Sequence, residues 1–431
     1  MIHKLAEDLN KVLDGSCVVA LFSELGKRMY FPNGIISQSG EAKKCARFAN
    51  GTIGMTVING KPALLPTIQS INPNLSSSEL VAYAPTAGNP NLREAWLSAM
   101  RKKNPLLQNK KTSLPVVVPG LTAGLSYMAD LFLDETKPLI IAEPSWDNYE
   151  LIACARRNAN VIRFPMFENN AFNVSAFEAT LHDECSKRKS ARLLLNFPQN
   201  PSGYTATHDE VLKIVDAIKK EADAGAHILV VSDDAYFGLN YESANETQSL
   251  FAYLADSSEN VLAIKIDGPT KEDFVWGFRT GFLTFACKNF SNAQYDALVK
   301  KLMGVIRSST SCASTPSQSI MLRAFQSETL DAEKKAFREI LQKRYERVRS
   351  FVNSHSSKHF TALPFNSGYF MSFDTGNINA YEFRKKLLDE KGIGTVAIDE
   401  KTLRVAFSSI EEEKIDAVYE AIYAFADESE K

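Results

Sequence analysis

Four residues between positions 233 and 279 have side chains that could together act on a carbonyl group. They are Asp233, Tyr236, Lys271 and Arg279. A lysine amine reacts with a carbonyl only when its pKa is lowered, and Lys271 follows the apolar run 261–264, on a loop where α/β proteins place reactive groups. The planar guanidinium of Arg279 can bind a phosphate through two hydrogen bonds. Taken singly, these two would more readily be a solvated loop lysine and a surface ion pair.

The carboxylate in this set stands at the end of a predicted buried strand. Residues 227–231 are a continuous apolar run, and Asp233 and Asp234 follow it directly. A buried aspartate can keep an aromatic ring nitrogen protonated, and Tyr236 is close enough to reach the same ligand. Together with Lys271 and Arg279, these types meet the needs of pyridoxal phosphate (PLP). The alternative is two solvated aspartates that cap the next segment, with Tyr236 as ordinary packing.

Three more turns follow predicted strands. Asn200 lies in an Asn-Pro-Ser-Gly turn after the run 191–195, and Thr122 opens an apolar helix after the run 116–118. Backbone N–H groups at such a helix start, beginning with Leu121, bind phosphate readily. Trp146 follows the run 139–142 and could lie flat on a pyridine ring. A plain loop at Asn200 and a core tryptophan remain the alternatives.

The order of these motifs resembles the class I/II aminotransferases, PLP enzymes of fold type I, and is most similar to their aspartate aminotransferase branch. The resemblance covers residues 54–404. It implies catalytic roles for Lys271 (the Schiff-base lysine), Asp233 and Tyr236. The residues that it assigns to cofactor binding are Leu121, Thr122, Trp146, Asn200, Asp233, Tyr236, Thr270, Lys271, Arg279 and, from the neighbouring subunit, Tyr83. Those that it assigns to substrate binding are Arg404 (on the α-carboxylate), Gly54, Trp146, Asn200 and Arg307.

Two positions refine this resemblance. Gly268 stands where many members carry a phosphate-binding serine, and Thr270 is expected to take over part of that role. Arg307 matches an arginine that, in dicarboxylate-specific members, enters the partner's site and binds the distal carboxylate. The alternative is that Arg307 only binds the last carbonyls of its helix. If Tyr83 and Arg307 serve a neighbour's site, the protein is a homodimer with shared active sites.

The predicted function is therefore a PLP-dependent aminotransferase that moves an amino group from an L-amino acid to a 2-oxo acid such as 2-oxoglutarate. Aspartate and glutamate are candidate donors, and an aromatic or apolar amino acid is the alternative. Another PLP reaction on the same fold, such as β-elimination or decarboxylation, stays open because a fold does not determine a reaction. A PLP-binding sensor without turnover is the rival from another class.

Composition fits an enzyme with two domains and a large core. The chain has 431 residues, 45% of them hydrophobic, and a formal net charge of −2. This balance indicates no nucleic-acid or membrane partner. The six cysteines and six histidines show no metal-ligand spacing, so no metal is expected. With no secretory signal and no apolar run that could span a bilayer, we expect a cytoplasmic protein.

The order of apolar runs and helical patterns along the sequence predicts the fold. Apolar runs alternate with helical patterns from about residue 90 to 320, which indicates a mostly parallel seven-stranded sheet flanked by helices in an α/β domain. A smaller α+β domain should follow. The predicted boundaries are 1–60 for an N-terminal segment of the small domain, 61–327 for the PLP-binding domain and 328–431 for the C-terminal part. Residues 31–44 show no clear element and are expected to be an extended or mobile loop.

Overall fold

A seven-stranded sheet forms the centre of the computed structural model, which describes residues 2–14, 22–30 and 34–428. Its strand order is β4-β12-β11-β10-β9-β5-β6, and only β12 runs antiparallel to its neighbours. The strands are β4 (Val116–Val118), β5 (Leu139–Glu143), β6 (Val161–Pro165), β9 (Ser190–Asn196), β10 (His227–Asp233), β11 (Val261–Asp267) and β12 (Gly281–Ala286). Each apolar run that the sequence analysis identified forms one of these strands.

The remaining strands are short or belong to a second sheet. They are β1 (Ala49–Asn50), β2 (Val57–Ile58), β3 (Lys61–Pro62), β7 (Phe167–Glu168), β8 (Ala171–Phe172), β13 (Thr361–Ala362), β14 (Met371–Asp374), β15 (Ile393–Gly394), β16 (Val396–Ala397) and β17 (Thr402–Val405).

The α-helices are numbered in chain order. They are α1 (Lys4–Val12), α2 (Glu24–Arg28), α3 (Ile35–Cys45), α4 (Pro66–Ile71), α5 (Ser77–Val81), α6 (Pro90–Lys103), α7 (Leu121–Phe132), α8 (Asn148–Glu150, continued as a π-helix over Leu151–Arg156), α9 (Val174–Arg188), α10 (His208–Asp223), α11 (Leu250–Leu254), α12 (Pro269–Glu272), α13 (Asn292–Ser309), α14 (Thr315–Phe325), α15 (Leu330–Ser354), α16 (Ala380–Lys391) and α17 (Ile415–Glu428).

Helices cover the large sheet on both faces, which is why its central strands consist mostly of apolar residues. Val230 belongs to one buried cluster, with Phe177 of α9 and Ile214 of α10. Val231, the next residue, points to the opposite face and packs in a second cluster with Leu125 of α7. Because both faces are buried, a continuous apolar run rather than an alternating one specifies each strand. The carboxyl ends of β9 and β10 then meet at one edge, where Asn196 lies opposite Asp233.

A smaller antiparallel sheet follows the large one. Its order is β13-β14-β17-β16, and α15 and α17 pack against each other beside it. Their shared core includes Val348, Phe373, Val405 and Tyr419. This arrangement of the long helix α15, the strands β14 and β17 and the closing helix α17 agrees with the expected α+β composition. The domain boundaries at residues 60 and 327 stay a prediction.

The prediction of a loop over residues 31–44 was wrong for its larger part. Helix α3 begins at Ile35, whereas residues 31–33 lie outside the described residues. The helix has no side-chain cap of its own, since Gly34 occupies the N-cap position. Instead, the buried Gln38 exchanges two hydrogen bonds with the backbone of Ala397 in β16, at 2.9 and 2.8 Å. A contact with a residue 359 positions away stabilises this helix, and local sequence cannot show such a contact.

None of the described helices is long and apolar enough to cross a membrane.

Candidate active site

A cavity of about 440 Å³ opens at the carboxyl ends of the central strands. Eleven of the predicted site residues line it: Gly54, Leu121, Thr122, Trp146, Asn200, Asp233, Tyr236, Thr270, Lys271, Arg279 and Arg404. They come from eight separate segments spread over 350 positions of the chain, and the fold brings them to one place. The other two, Tyr83 and Arg307, lie outside the cavity on exposed surface.

Asp233 is the most deeply buried carboxylate of the cavity wall. It is 2% exposed, and burial raises its pKa to about 6 although the Tyr149 hydroxyl and the charge of Lys271 lower it. The Tyr149 hydroxyl donates to Asp233 Oδ2 at 2.6 Å. Asp233 Oδ1, in contrast, is buried without a hydrogen-bond partner among the described residues. Since an orphaned buried acceptor is costly, this oxygen fits a ligand donor such as a protonated pyridine nitrogen.

Lys271 lies in the short helix α12, half-buried in the cavity wall. Burial, with the charge of Arg279 and against the charge of Asp233, lowers the pKa of its amine to about 8. The amine lies 4.6 Å from the ring centroid of Tyr236, and the Tyr369 hydroxyl donates to the Lys271 carbonyl at 3.1 Å. A lysine with a lowered pKa is the form that can react with a carbonyl.

The start of α7 and Arg279 form a cradle for an anion. Gly120 precedes the helix with φ 85°, a conformation that L-residues rarely adopt, and a Cβ there would overlap the Arg279 guanidinium. The guanidinium therefore lies directly against the first turn of α7, whose N–H groups begin at Leu121. Thr270 Oγ1 is also buried without a partner in the described part of the chain. These donors fit a phosphate group.

Gly268 stands at the position where the sequence resemblance leads one to expect a serine, and the surrounding backbone leaves little space for a side chain there. A Cβ at this position would lie 2.9 Å from the Thr280 carbonyl oxygen and 3.0 Å from Gly281 Cα. Contacts that short are prohibitive without a backbone shift. The chain has no room for a serine here, which leaves Thr270 as the hydroxyl for a phosphate.

Arg404 supplies a buried cation on the opposite side of the cavity. It is 1% exposed, donates to Asn200 Oδ1 at 2.8 Å and to the Thr52 carbonyl at 3.0 Å, and lies over the Phe370 ring at 4.2 Å. Burial lowers its pKa to about 10. Because the Asn200 oxygen is engaged by Arg404, the NH2 group of Asn200 is the part left to donate to a ligand.

The alternative of two solvated aspartates is wrong, since Asp233 is only 2% exposed and Asp234 only 4%. It forms a buried ion pair with Lys265 and accepts a hydrogen bond from Ser249 at 2.6 Å. Asp267 adds a second carboxylate 3.3 Å from Lys265. Asp234 therefore belongs to a structural charge cluster, whereas Asp233 faces the cavity.

Two residues of the site were missed by sequence reasoning. Tyr149 follows Trp146 by three positions, and this helical spacing is the only sequence signal for it. Asn196 ends β9, and its NH2 group donates to the Asp233 carbonyl at 2.6 Å, while its oxygen accepts from the Asn200 N–H at 2.9 Å. A position at a strand end is the only sequence signal for Asn196, and the sequence does not show which groups it would contact.

Comparisons with known proteins agree with this geometry. The family "Aminotransferase class I and II" matches residues 56–422. A probable N-acetyl-LL-diaminopimelate aminotransferase of Bacillus subtilis is 25% identical over 320 residues, covering 74% of this chain and 73% of that protein. An aspartate aminotransferase of Sulfurisphaera tokodaii is 24% identical over 369 residues, covering 81% and 84%.

Solved structures show the same fold. An aminotransferase from Anaerococcus prevotii superposes with a TM-score of 0.85 at 20% identity, covering 95% of this chain and all of that one. This confirms the expected fold type I architecture, in which a mostly parallel seven-stranded sheet is joined to a smaller α+β unit. With the family match spanning most of its length, the chain belongs to the class I and II aminotransferases, which are PLP-dependent enzymes.

Proposed function

We propose that this protein transfers the amino group of an L-amino acid to a 2-oxo acid such as 2-oxoglutarate, with Lys271 as the reactive amine. One observation carries the proposal. A single cavity holds an amine of lowered pKa, a buried carboxylate with one unpartnered oxygen, and a buried guanidinium without an ion-pair partner among the described residues. An amino acid bound to a PLP ring needs these three groups at once.

Each residue of the site has a separate role in the proposed reaction. PLP, when bound, supplies a carbonyl group that condenses with amines and a ring that accepts electrons from the substrate's Cα. Asp233 holds the proton on the ring nitrogen through its free oxygen, and Tyr149 keeps Asp233 ionised by donating to the other oxygen. The Lys271 amine removes the Cα proton and returns it one atom away, as a general base and then an acid. With a pKa of about 8, roughly a tenth of such amines are neutral at pH 7.

Arg404 orients the substrate. Its guanidinium is held by Asn200 and the Thr52 carbonyl on one edge, and its Nε has no partner among the described residues. A bound α-carboxylate would supply the missing counter-charge through a bidentate pair. Binding at this point fixes the orientation of the Cα–H bond relative to Lys271.

A homodimer with shared active sites is part of the proposal. Tyr83 is 95% exposed and Val81 is 77% exposed, and Leu64 and Leu80 are nearly half exposed on the same part of the chain. Large apolar side chains exposed together indicate a surface that another chain covers. Tyr83 and Arg307 can contribute to an active site only if that chain is a second copy. A cytoplasmic location stays a prediction that rests on composition.

The test is a product assay. The purified protein is incubated with PLP, a panel of L-amino acids and 2-oxoglutarate, with Lys271→Ala as the inactive control. A 2-oxo acid together with glutamate supports the proposal. Release of ammonia or carbon dioxide points to elimination or decarboxylation, and PLP binding without turnover points to a sensor. In the same panel, Arg307→Ala should selectively depress dicarboxylic substrates if Arg307 binds a distal carboxylate.

A further inference from the structure

One charged side chain of the cavity wall has no role in the proposed reaction. The cofactor accounts for Asp233, Lys271 and Arg279, and the substrate's α-carboxylate accounts for Arg404. Asp147 also lines the cavity and is half-buried. A role for Asp147 in choosing the amino acid rests on the proposed function.

Asp147 lies where α3 meets the loop that carries Trp146. A Cβ added to Gly34 would overlap Asp147 Oδ2, so the carboxylate touches the chain at the start of α3. The backbone N–H groups of Ile35 and Asn148 are close enough to lower its pKa, although burial raises the pKa more strongly. Ile35 lines the same cavity. The carboxylate thus lies at the cavity wall, against the chain where α3 begins.

The charge of Asp147 is only partly compensated. Burial raises its pKa, and Arg404 is close enough to lower it through its charge, which places the two groups on the same side of the cavity. Among the residues that the structure describes, no lysine, arginine or histidine forms an ion pair with Asp147. The arginine on the outer side of this loop, Arg163, instead pairs with Glu143 and Glu150. A half-buried carboxylate of this kind gains free energy when a ligand brings a cation or an N–H donor.

Other carboxylates lie near Asp147. Burial raises the pKa of Tyr381, and the charges of Asp399, Asp147 and Glu400 add to that effect. Burial raises the pKa of Tyr30 to about 12, and the charges of Glu150 and Asp147 add to that effect. The neighbouring carboxylates therefore add to the negative charge of Asp147, which favours a cationic group on the ligand.

We propose that the amino donor carries an ammonium or another N–H-bearing group at the end of its side chain, and that Asp147 binds this group. Arg404 then holds the α-carboxylate, the apolar walls formed by Ile35 and Phe370 contact the aliphatic stem, and Asp147 contacts the terminal nitrogen. The preferred donors are basic amino acids. This preference is opposite in charge to the one that an Arg307-based recognition of aspartate or glutamate would give.

The experiment compares donors that match in shape and differ in charge. L-ornithine and L-norleucine differ only by an ammonium in place of a methyl group, and L-glutamate tests the opposite charge. We expect kcat/KM to rank ornithine above norleucine and norleucine above glutamate as donors. In Asp147→Asn, which keeps an oxygen for the Ile35 N–H but loses the charge, the ornithine-to-norleucine ratio should fall by about 10- to 100-fold, as expected for one hydrogen bond to a charged group.

Two results would overturn the proposal. One is a wild-type enzyme that does not prefer ornithine over both controls. The other is an Asp147→Asn variant that slows both donors in proportion, which would mean that Asp147 only caps α3. Asp399→Asn is the matched control: it removes the same charge from a half-buried carboxylate that does not line the cavity, and the ratio should change by less than about threefold.

A binding measurement separates failure of this inference from failure of the proposed function. 5-Aminopentanoate and hexanoate have no α-amino group, yet they carry the same carboxylate and the same terminal pair of groups as ornithine and norleucine. Binding is measured on the cofactor-free protein, where the terminal amine of 5-aminopentanoate has no aldehyde to condense with. Calorimetry should show tighter binding of 5-aminopentanoate, and this difference should be lost in Asp147→Asn. Binding preference without turnover would refute the transaminase proposal alone, and turnover without binding preference would refute the role of Asp147 alone.

Discussion

Replacement of Tyr149 by phenylalanine tests how the site keeps Asp233 ionised. Tyr149 is 3% exposed, and its hydroxyl donates to Asp233 Oδ2 at 2.6 Å. Its ring packs edge-on against Trp146 with centroids 5.4 Å apart. Phenylalanine keeps this ring contact and removes only the hydroxyl, so the variant isolates the hydrogen bond from the packing.

The size of the expected pKa shift follows from the single hydrogen bond that the substitution removes. A hydrogen bond to a charged group contributes about 1.5–3 kcal/mol. At about 1.4 kcal/mol per pH unit, its loss should raise the pKa of Asp233 from about 6 to about 7 or 8. At pH 7 the ionised fraction of Asp233 in the cofactor-free protein should then fall from about nine tenths to between about a half and a tenth.

The raised pKa of Asp233 determines how its contribution to stability changes with pH. Folding raises this pKa above its ordinary value of 3.8, so the ionised form of Asp233 is less stable in the folded protein than in the unfolded chain. Its contribution is present at low pH and is lost as the pH rises through about 6. Tyr149→Phe should therefore destabilise the cofactor-free protein by about 1.5–3 kcal/mol near pH 8.5, and by less near pH 5, where Asp233 is protonated.

Urea unfolding at these two pH values measures the difference, and titration with PLP between pH 6 and 9 measures its consequence. In the variant, PLP affinity should recover as the pH rises, because Asp233 ionises only at a higher pH than in the wild type. Tyr204→Phe is the control, since the Tyr204 hydroxyl donates to another carboxylate, Glu210, at 2.7 Å and lies outside the cavity. A loss of PLP affinity that is equal at every pH would falsify the reasoning, because it would mean that Tyr149 acts only through packing.

Three further predictions concern the reactive lysine, the pair of aspartates and the dimer. Borohydride should fix the cofactor covalently on Lys271, as read by peptide mapping, and Lys271→Ala should lose this label and nearly all turnover. Asp233→Asn should lower the rate by several powers of ten while keeping the fold. Asp234→Asn should instead cost several kcal/mol of stability in denaturant unfolding with a smaller loss of rate, because it leaves the buried Lys265 short of a counter-ion. Mixing Lys271→Ala with an inactive Tyr83 variant should restore activity through hybrid dimers, and a fully active monomer in light scattering would contradict shared sites.

Much of this fold was predictable from local patterns. The inner strands of the large sheet are buried on both faces, so each appears in the sequence as a largely apolar run, whereas the edge strand β6 is half-exposed and gives a weaker signal. The residues that follow these runs, such as Asp233 and Trp146, must then meet at the carboxyl edge. Helix α3 was not predictable in this way. The Asp147 carboxylate lies at its start, and Gln38 on its side bonds to the backbone of Ala397. Both contacts join distant parts of the chain.

The same distinction applies to the site. Lys271, Arg279 and Arg404 were identifiable because their chemistry is visible in the residue type and its motif. Tyr149 was not, because a tyrosine on a helix is ordinary until its hydroxyl is known to reach a carboxylate 84 positions away. Tyr83 and Arg307 are a third case. Their predicted roles need a second copy of the chain, and in one copy they are exposed side chains.

The buried guanidinium of Arg404 explains how the site can select amino acids at all. A cation that is 1% exposed and has no ion-pair partner among the described residues is destabilised by desolvation, as its pKa of about 10 shows. Its position is nevertheless fixed by Asn200, which Asn196 ties to the backbone of Asp233. One chain of hydrogen bonds thus connects Arg404, the proposed anchor of the substrate, to Asp233, the proposed partner of the cofactor. A ligand carboxylate restores the missing counter-charge at a point already aligned with the reactive groups, so an amine without a carboxylate gains neither the ion pair nor the alignment.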